Sequence, residues 1–201
     1  MRYPFGRLYR LLLLTGLRLN EVADARWPEF DSRNDLWIVP AARMKGKDGR
    51  VTDHVVPITD DIAAVLKSLP RFKNGDYLFS STFGQKAVWV SDSVKKRLDA
   101  RMLHTLRAMA RKGGDDPSKV TLPHFVNHDL RRTLRTGLSK LRVDRDIREA
   151  VLGHTRPGVE GVYDRHDYLL EKKDALERWA SYVRNLSSHE VEATNIVRLR
   201  G

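Results

Sequence analysis

Cysteine is absent from all 201 residues. No disulfide staple or Cys-pair metal site can form, and the composition suits a reducing compartment. Long apolar runs are missing too. The longest, LLLL at 11–14, lies between Arg10 and Arg18 and is far too short to cross a bilayer. The N-terminus MRYPFGRLYR lacks signal-peptide form, so a cytoplasmic protein with no membrane partner is expected. HExxH, carboxylate clusters at metal spacing and the GxxxxGK(S/T) phosphate loop do not occur, which disfavours a two-metal nuclease and predicts no metal and no cofactor. There is no internal repeat and no low-complexity tract. Acidic residues are outnumbered, 26 against 37 Lys and Arg, for a net charge of +11. That excess predicts a polyanionic partner, most often nucleic acid. The basic residues recur at 43–50, 95–101, 107–112 and 131–145, unlike a single disordered arm.

What is present reads as one domain, large enough to bury roughly 70% of its unfolded surface. FGRLYRLLLLT at 5–15 is crowded with apolar positions, which predicts a buried helix stopped by Gly16. RLNEVADA at 18–25 fits a second short helix, with Arg18 and Glu21 on one face. LWIVPA at 36–41 and HVVPI at 54–58 read as strands of a hairpin whose tip, KGKDGR at 45–50, carries lysines. Thr59 and Asp60 are expected to cap a helix running to about Leu69 and Pro70, and YLFS at 77–80 to be extended. A long helix over 92–112 should bury Leu98, Met102, Leu106 and Met109 as one stripe, with basic residues on its other faces. Further helices are expected at 128–141, at 145–153 ending on Gly153, and at 167–186. The last has Leu169, Leu170, Ala175, Leu176, Trp179 and Tyr182 as inner positions. The fold class is thus mainly α with a small antiparallel β-hairpin. Residues 187–201 form a polar tail, expected to be loosely held or to pack on a neighbour.

Four stretches carry the chemistry: TGLRLNEV, the lysine hairpin, HDLRRT, and LGH followed by GVYDR. TGLRLNEV, HDLRRT, LGH and GVYDR, in this order, resemble the catalytic domain of tyrosine recombinases, the phage-integrase family, and specifically the integrases of prophages and genomic islands. The resemblance covers about residues 8–185. It implies a DNA breaking-and-rejoining fold and a site-specific recombinase. A tyrosine hydroxyl would attack a phosphodiester in double-stranded DNA, leaving a 3′-phosphotyrosyl link and a free 5′-hydroxyl. A partner strand's 5′-hydroxyl would then reverse the step. Neither metal nor ATP is implied, because the covalent link keeps the bond energy.

The same resemblance implies roles for individual residues. Arg18 and Arg131 match the two family arginines, whose forked donors suit non-bridging phosphate oxygens. Each could contribute about 2.7–4 kcal/mol to the transition state, by analogy with oxyanion donors. His128 matches the proton acceptor for the tyrosine, His154 a donor to a phosphate oxygen, and Tyr163 the nucleophile. Lys45 matches the general acid for the leaving oxygen, with Lys47 two residues away as its competitor. Tyr168 competes with Tyr163, but GVYDR carries the family pattern and Tyr168 begins the last helix. Glu21 matches an acidic position that orients groups near Arg18 or Lys45. His54, His104, His124, His166 and His189 read as ordinary surface or packing residues. Residues 155–166, with Gly158 and Gly161, read as a movable arm that delivers Tyr163.

The implied assembly is a homotetramer on two DNA duplexes, and a monomer for an isolated domain. The family usually carries an N-terminal core-binding domain, often with an arm-binding domain before it. Neither is seen here, so residues 1–186 are expected to be an isolated catalytic domain with weak, salt-sensitive DNA binding. The competing expectations are a non-catalytic DNA-binding or assembly module, and a type IB topoisomerase-like enzyme with the same residues.

Overall fold

The structure is a computed structural model, and it describes residues 1–44, 52–154 and 168–187. Helix α1, Phe5–Thr15, is the central element. Leu8, Leu11 and Leu12 recur at helical spacing and are fully or almost fully buried, as are Leu14 and Thr15. Burial of each such leucine stabilises by about 1.5–3 kcal/mol. Gly16 ends the helix in the left-handed region at φ 67°, and its N–H donates to the Leu12 carbonyl. The expected stop is therefore present. The second helix α2 is Leu19–Ala23, shorter than the 18–25 stretch suggested.

Three strands follow: β1 Phe30–Asp31, β2 Leu36–Val39 and β3 His54–Pro57, antiparallel in the order β1-β2-β3. The hairpin pairs Leu36 with Pro57 and Val39 with His54. Strand β1 adds an edge to the expected hairpin. It pairs Phe30 with Trp37, and their rings stack at 4.9 Å. Trp37, Val39 and Val56 turn inward, the period-two pattern of a half-buried sheet. The hairpin tip KGKDGR, with Lys45 and Lys47, lies outside the described residues.

Helix α3, Asp60–Lys67, begins after Thr59 as expected, but the Thr59 hydroxyl makes no capping bond. Asp60 and Asp61 in the first turn complement the helix dipole instead. YLFS forms no strand: Tyr77 makes an isolated bridge to Arg26 and the chain bends at Leu78 and Phe79, which are buried, with the Leu78 N–H donating to the Ala25 carbonyl. Helix α4, Asp92–Gly113, corrects the expected buried stripe. Val94 alone is fully inside, Leu98 packs partly on the core, and Met102 and Met109 are exposed. The periodic stripe is only partly covered: beyond its start α4 faces the short turn Pro117–Lys119 and the segment 120–125, which leave Met102 and Met109 open.

Helices α5 (Asn127–Lys140), α6 (Arg145–Val151) and α7 (Leu169–Ser187) complete the bundle. Gly137 of α5 admits the Trp179 ring of α7, since a Cβ there would come within 2.1 Å of it. The Trp179 indole donates to the Leu13 carbonyl at 2.8 Å, so α7 is tied across α1 and α5. Ala175, Leu176, Trp179 and Ala180 are its buried face, whereas Leu170 is 81% exposed, against expectation. The expected arm at 155–166, including Tyr163, and the tail after Ser187 lie outside the described residues. No described helix is long and apolar enough to cross a membrane.

Candidate active site

Arg18 stands at the start of α2, two residues past the Gly16 stop. Its guanidinium meets the Glu21 carboxylate at 2.7 Å, and its backbone N–H donates to the other Glu21 oxygen at 2.7 Å. Glu21 is 2% exposed, so this is a fixed pair and not a solvated one. Arg43 extends the support. It donates to the Glu21 carbonyl and to Glu29, which also accepts from the Trp37 indole.

Arg131 lies one turn into α5 and is 4% exposed. One terminal nitrogen donates to the Gly16 carbonyl at 2.7 Å, the other to the Leu152 carbonyl at 2.6 Å. The second nitrogen also lies 2.9 Å from Nε2 of His154. One guanidinium thus joins the ends of α1 and α6 to α5. Burial, and then the charge of Arg18, pushes its pKa down to about 10, so it stays charged at neutral pH.

His128 sits exposed on the first turn of α5. Desolvation, then the charges of Arg131, Arg132 and Arg18, hold its imidazole below the ordinary value. A neutral imidazole at the mouth of a cationic depression is the form able to accept a proton. His154 closes the site from α6, with Nδ1 2.5 Å from Glu149. Burial pulls the Glu149 carboxyl upward, but bonds from His154 and Arg135 outweigh it and keep it below the usual range.

Arg18, His128, Arg131, Arg132, Arg135, Leu152 and His154 line one depression of about 330 Å³. Four guanidiniums around one hollow are suited to a phosphate-sized anion. The structure brings together Arg18, His128, Arg131 and His154 and puts Glu21 behind Arg18. Lys45 and Tyr163 are outside the described residues. Among the described residues, no group of three or more His, Cys, Asp or Glu could hold a metal ion.

Sequence reasoning overlooked Arg132, Arg135 and Glu149. Arg135 follows Arg131 by four residues, which places both on one helix face and was legible. His54, read as an ordinary packing residue, is packed indeed, at 6% exposed. Burial, then the charges of Lys172 and Arg131, push its pKa down to about 3, so it forms a neutral floor. Its ring presses on Gly153, where φ is 63° and a Cβ would approach to 2.9 Å. Only glycine meets both demands there.

The Phage integrase family matches residues 6–169. Prophage integrase IntA of Escherichia coli (strain K12) is 30% identical over 195 residues, covering 96% of this chain and 42% of that protein. The integrase of Enterobacteria phage P4 is 27% identical over 186 residues, covering 87% and 39%. The chain therefore spans less than half the length of these curated relatives. The Tn1549 transposon integrase in complex with a circular intermediate DNA superposes with a TM-score of 0.50 over 86% of this chain and 57% of that one. At 15% identity, that likeness concerns the fold.

Proposed function

The chain belongs to the phage integrase family, and from that premise we propose that residues 1–186 are the catalytic unit of a site-specific DNA recombinase. Its substrate is double-stranded DNA at attachment sites, which it cleaves and rejoins to integrate or excise a mobile element. The observation that carries the reading is the convergence of Arg18, His128, Arg131 and His154, from three separated stretches, on one arginine-lined hollow.

In this reading the scissile phosphate sits in the hollow, its non-bridging oxygens facing Arg18 and Arg131. Tyr163 Oη attacks phosphorus in line while its proton passes to His128. The bond to the 5′-oxygen breaks, and Lys45 supplies the proton that oxygen takes up. The product is a 3′-phosphotyrosyl link, and attack by a 5′-hydroxyl of the partner strand reverses each transfer. The arginines are charged throughout, so they stabilise the extra negative charge without moving a proton. The roles of Lys45 and Tyr163 rest on their family motifs. Four copies would act on two duplexes, because both strands of each must be exchanged.

Exposed cations on α4, among them Lys96, Arg101, Arg107 and Arg111, supply a second basic face for the DNA backbone. The deciding experiment uses a suicide duplex nicked beside the cleavage point. A covalent DNA–protein adduct is expected for the wild type and for Tyr168→Phe, and none for Tyr163→Phe. An adduct that survives Tyr163→Phe overturns the assignment.

A further inference from the structure

Glu149 belongs to none of the family motifs, yet it holds His154 at two points. The turn that ends α6 brings them together. The His154 N–H donates to the Glu149 carbonyl at 3.0 Å and the Gly153 N–H to that of Ala150 at 3.1 Å, with Gly153 in the left-handed region. This is a Schellman closure, which stacks the second residue past the helix over the third from its end. Those two positions usually carry an apolar contact. Here they carry a carboxylate and an imidazole, 2.5 Å apart at Oε2 and Nδ1.

The proton arrangement follows from the neighbours. An ionised carboxylate only accepts, so Nδ1 must carry the hydrogen. On the other side of the ring stands Arg131, a guanidinium that only donates, 2.9 Å from Nε2. A neutral His154 is therefore protonated at Nδ1, with its Nε2 lone pair towards Arg131. Glu149 is itself held, since Arg135 donates to its other oxygen through Nε at 3.0 Å and through Nη2 at 2.5 Å. Among the described residues, Arg18, His128 and Arg132 also line the hollow around the ring, and His54 lies beneath Gly153.

We propose that Glu149 is a positioning residue: with Arg135 behind it, it aims His154 into the phosphate hollow and fixes the ring hydrogen on Nδ1. The catalytic consequence rests on the recombinase reading, while the orientation itself does not. To donate to a phosphate oxygen held beside Arg131 in the hollow, Nε2 needs a proton of its own.

The test has two arms. Long-range proton–nitrogen correlation on histidine-labelled protein, without DNA, reads the tautomer of His154. The wild type should show Nδ1 protonated and Nε2 as the lone-pair nitrogen. Glu149→Ala should release the ring to turn away from Arg131 and populate the commoner Nε2-protonated form, and Glu149→Asp should keep part of the wild-type signature. In the second arm, cleavage of the suicide duplex at saturating DNA should slow by about 10–100-fold in Glu149→Ala, the range for lost orienting partners, with KM for DNA unchanged. Glu149→Gln, which keeps shape and an acceptor oxygen, guards against a folding defect and should fall between. An Nε2-protonated His154 in the wild type, or wild-type cleavage by Glu149→Ala, overturns the proposal. If the wild type forms no adduct at all, the recombinase reading fails while the tautomer still decides the positioning role.

Discussion

Arg131→Lys separates two roles that one side chain combines. Arginine reaches the Gly16 and Leu152 carbonyls with two different nitrogens, at 2.7 and 2.6 Å. A lysine has one nitrogen and can serve one of them. The other buried carbonyl loses its partner, which costs about 1–3 kcal/mol. With a urea dependence of about 2 kcal/mol per molar, the unfolding midpoint should fall by about 0.5–1.5 M. Stability of about 5–15 kcal/mol, typical of a domain, leaves the variant folded in native buffer. Cleavage can then be measured apart from unfolding. There the forked contact to phosphate is lost, and the adduct rate at saturating DNA should fall by about 10²–10³-fold. Urea titration followed by circular dichroism reads the first effect, and adduct formation on a suicide duplex the second. An unchanged midpoint would refute the clamp between α1 and α6. A wild-type adduct rate would refute the phosphate role and leave Arg131 as a structural strut.

Two further outcomes follow from the floor of the site. Gly153→Ala should destabilise by about 1–3 kcal/mol, since it adds a Cβ against His54 at a left-handed position. His54→Ala in the same chain should recover only part of this, because the backbone penalty remains, and full recovery would show that φ does not matter there. His54 should also make folding pH-dependent. Its folded pKa of about 3 lies below the ordinary 6.5. Between those values the unfolded chain binds the proton and the folded one does not, so its contribution is intact above about pH 6.5. It is lost at up to about 1.4 kcal/mol per unit as pH falls towards 3. Urea midpoints should fall less steeply from pH 7 through 6 to 5 in His54→Gln than in the wild type, and parallel curves for the two proteins would remove His54 as the cause.

Local readings succeeded where local physics decides. Gly16 stops α1 because a left-handed residue is needed there, and the leucines of α1 are buried because their spacing puts them on one stripe. The hairpin, and the helices at 127–140 and 145–151, follow from period and turn chemistry in the same way. The α4 stripe fails for the opposite reason. Periodicity shows which residues share a face, but only the rest of the fold can supply something for that face to meet. Leu170 is exposed on α7 by the same logic.

Residue identity alone sets the chemistry available: two arginines, two histidines, a tyrosine and a lysine in stretches that resemble family motifs, no cysteine, and a cationic excess. The tertiary structure decided how that chemistry is held. Arg131 bonds a carbonyl 115 residues away, and Glu149 answers Arg135 across 14 residues. No periodic pattern encodes such pairs, because they arise where the ends of separate helices meet. The Glu149–His154 contact is an intermediate case. Its five-residue spacing becomes meaningful once Gly153 closes the helix in the left-handed region and folds one residue back over the other.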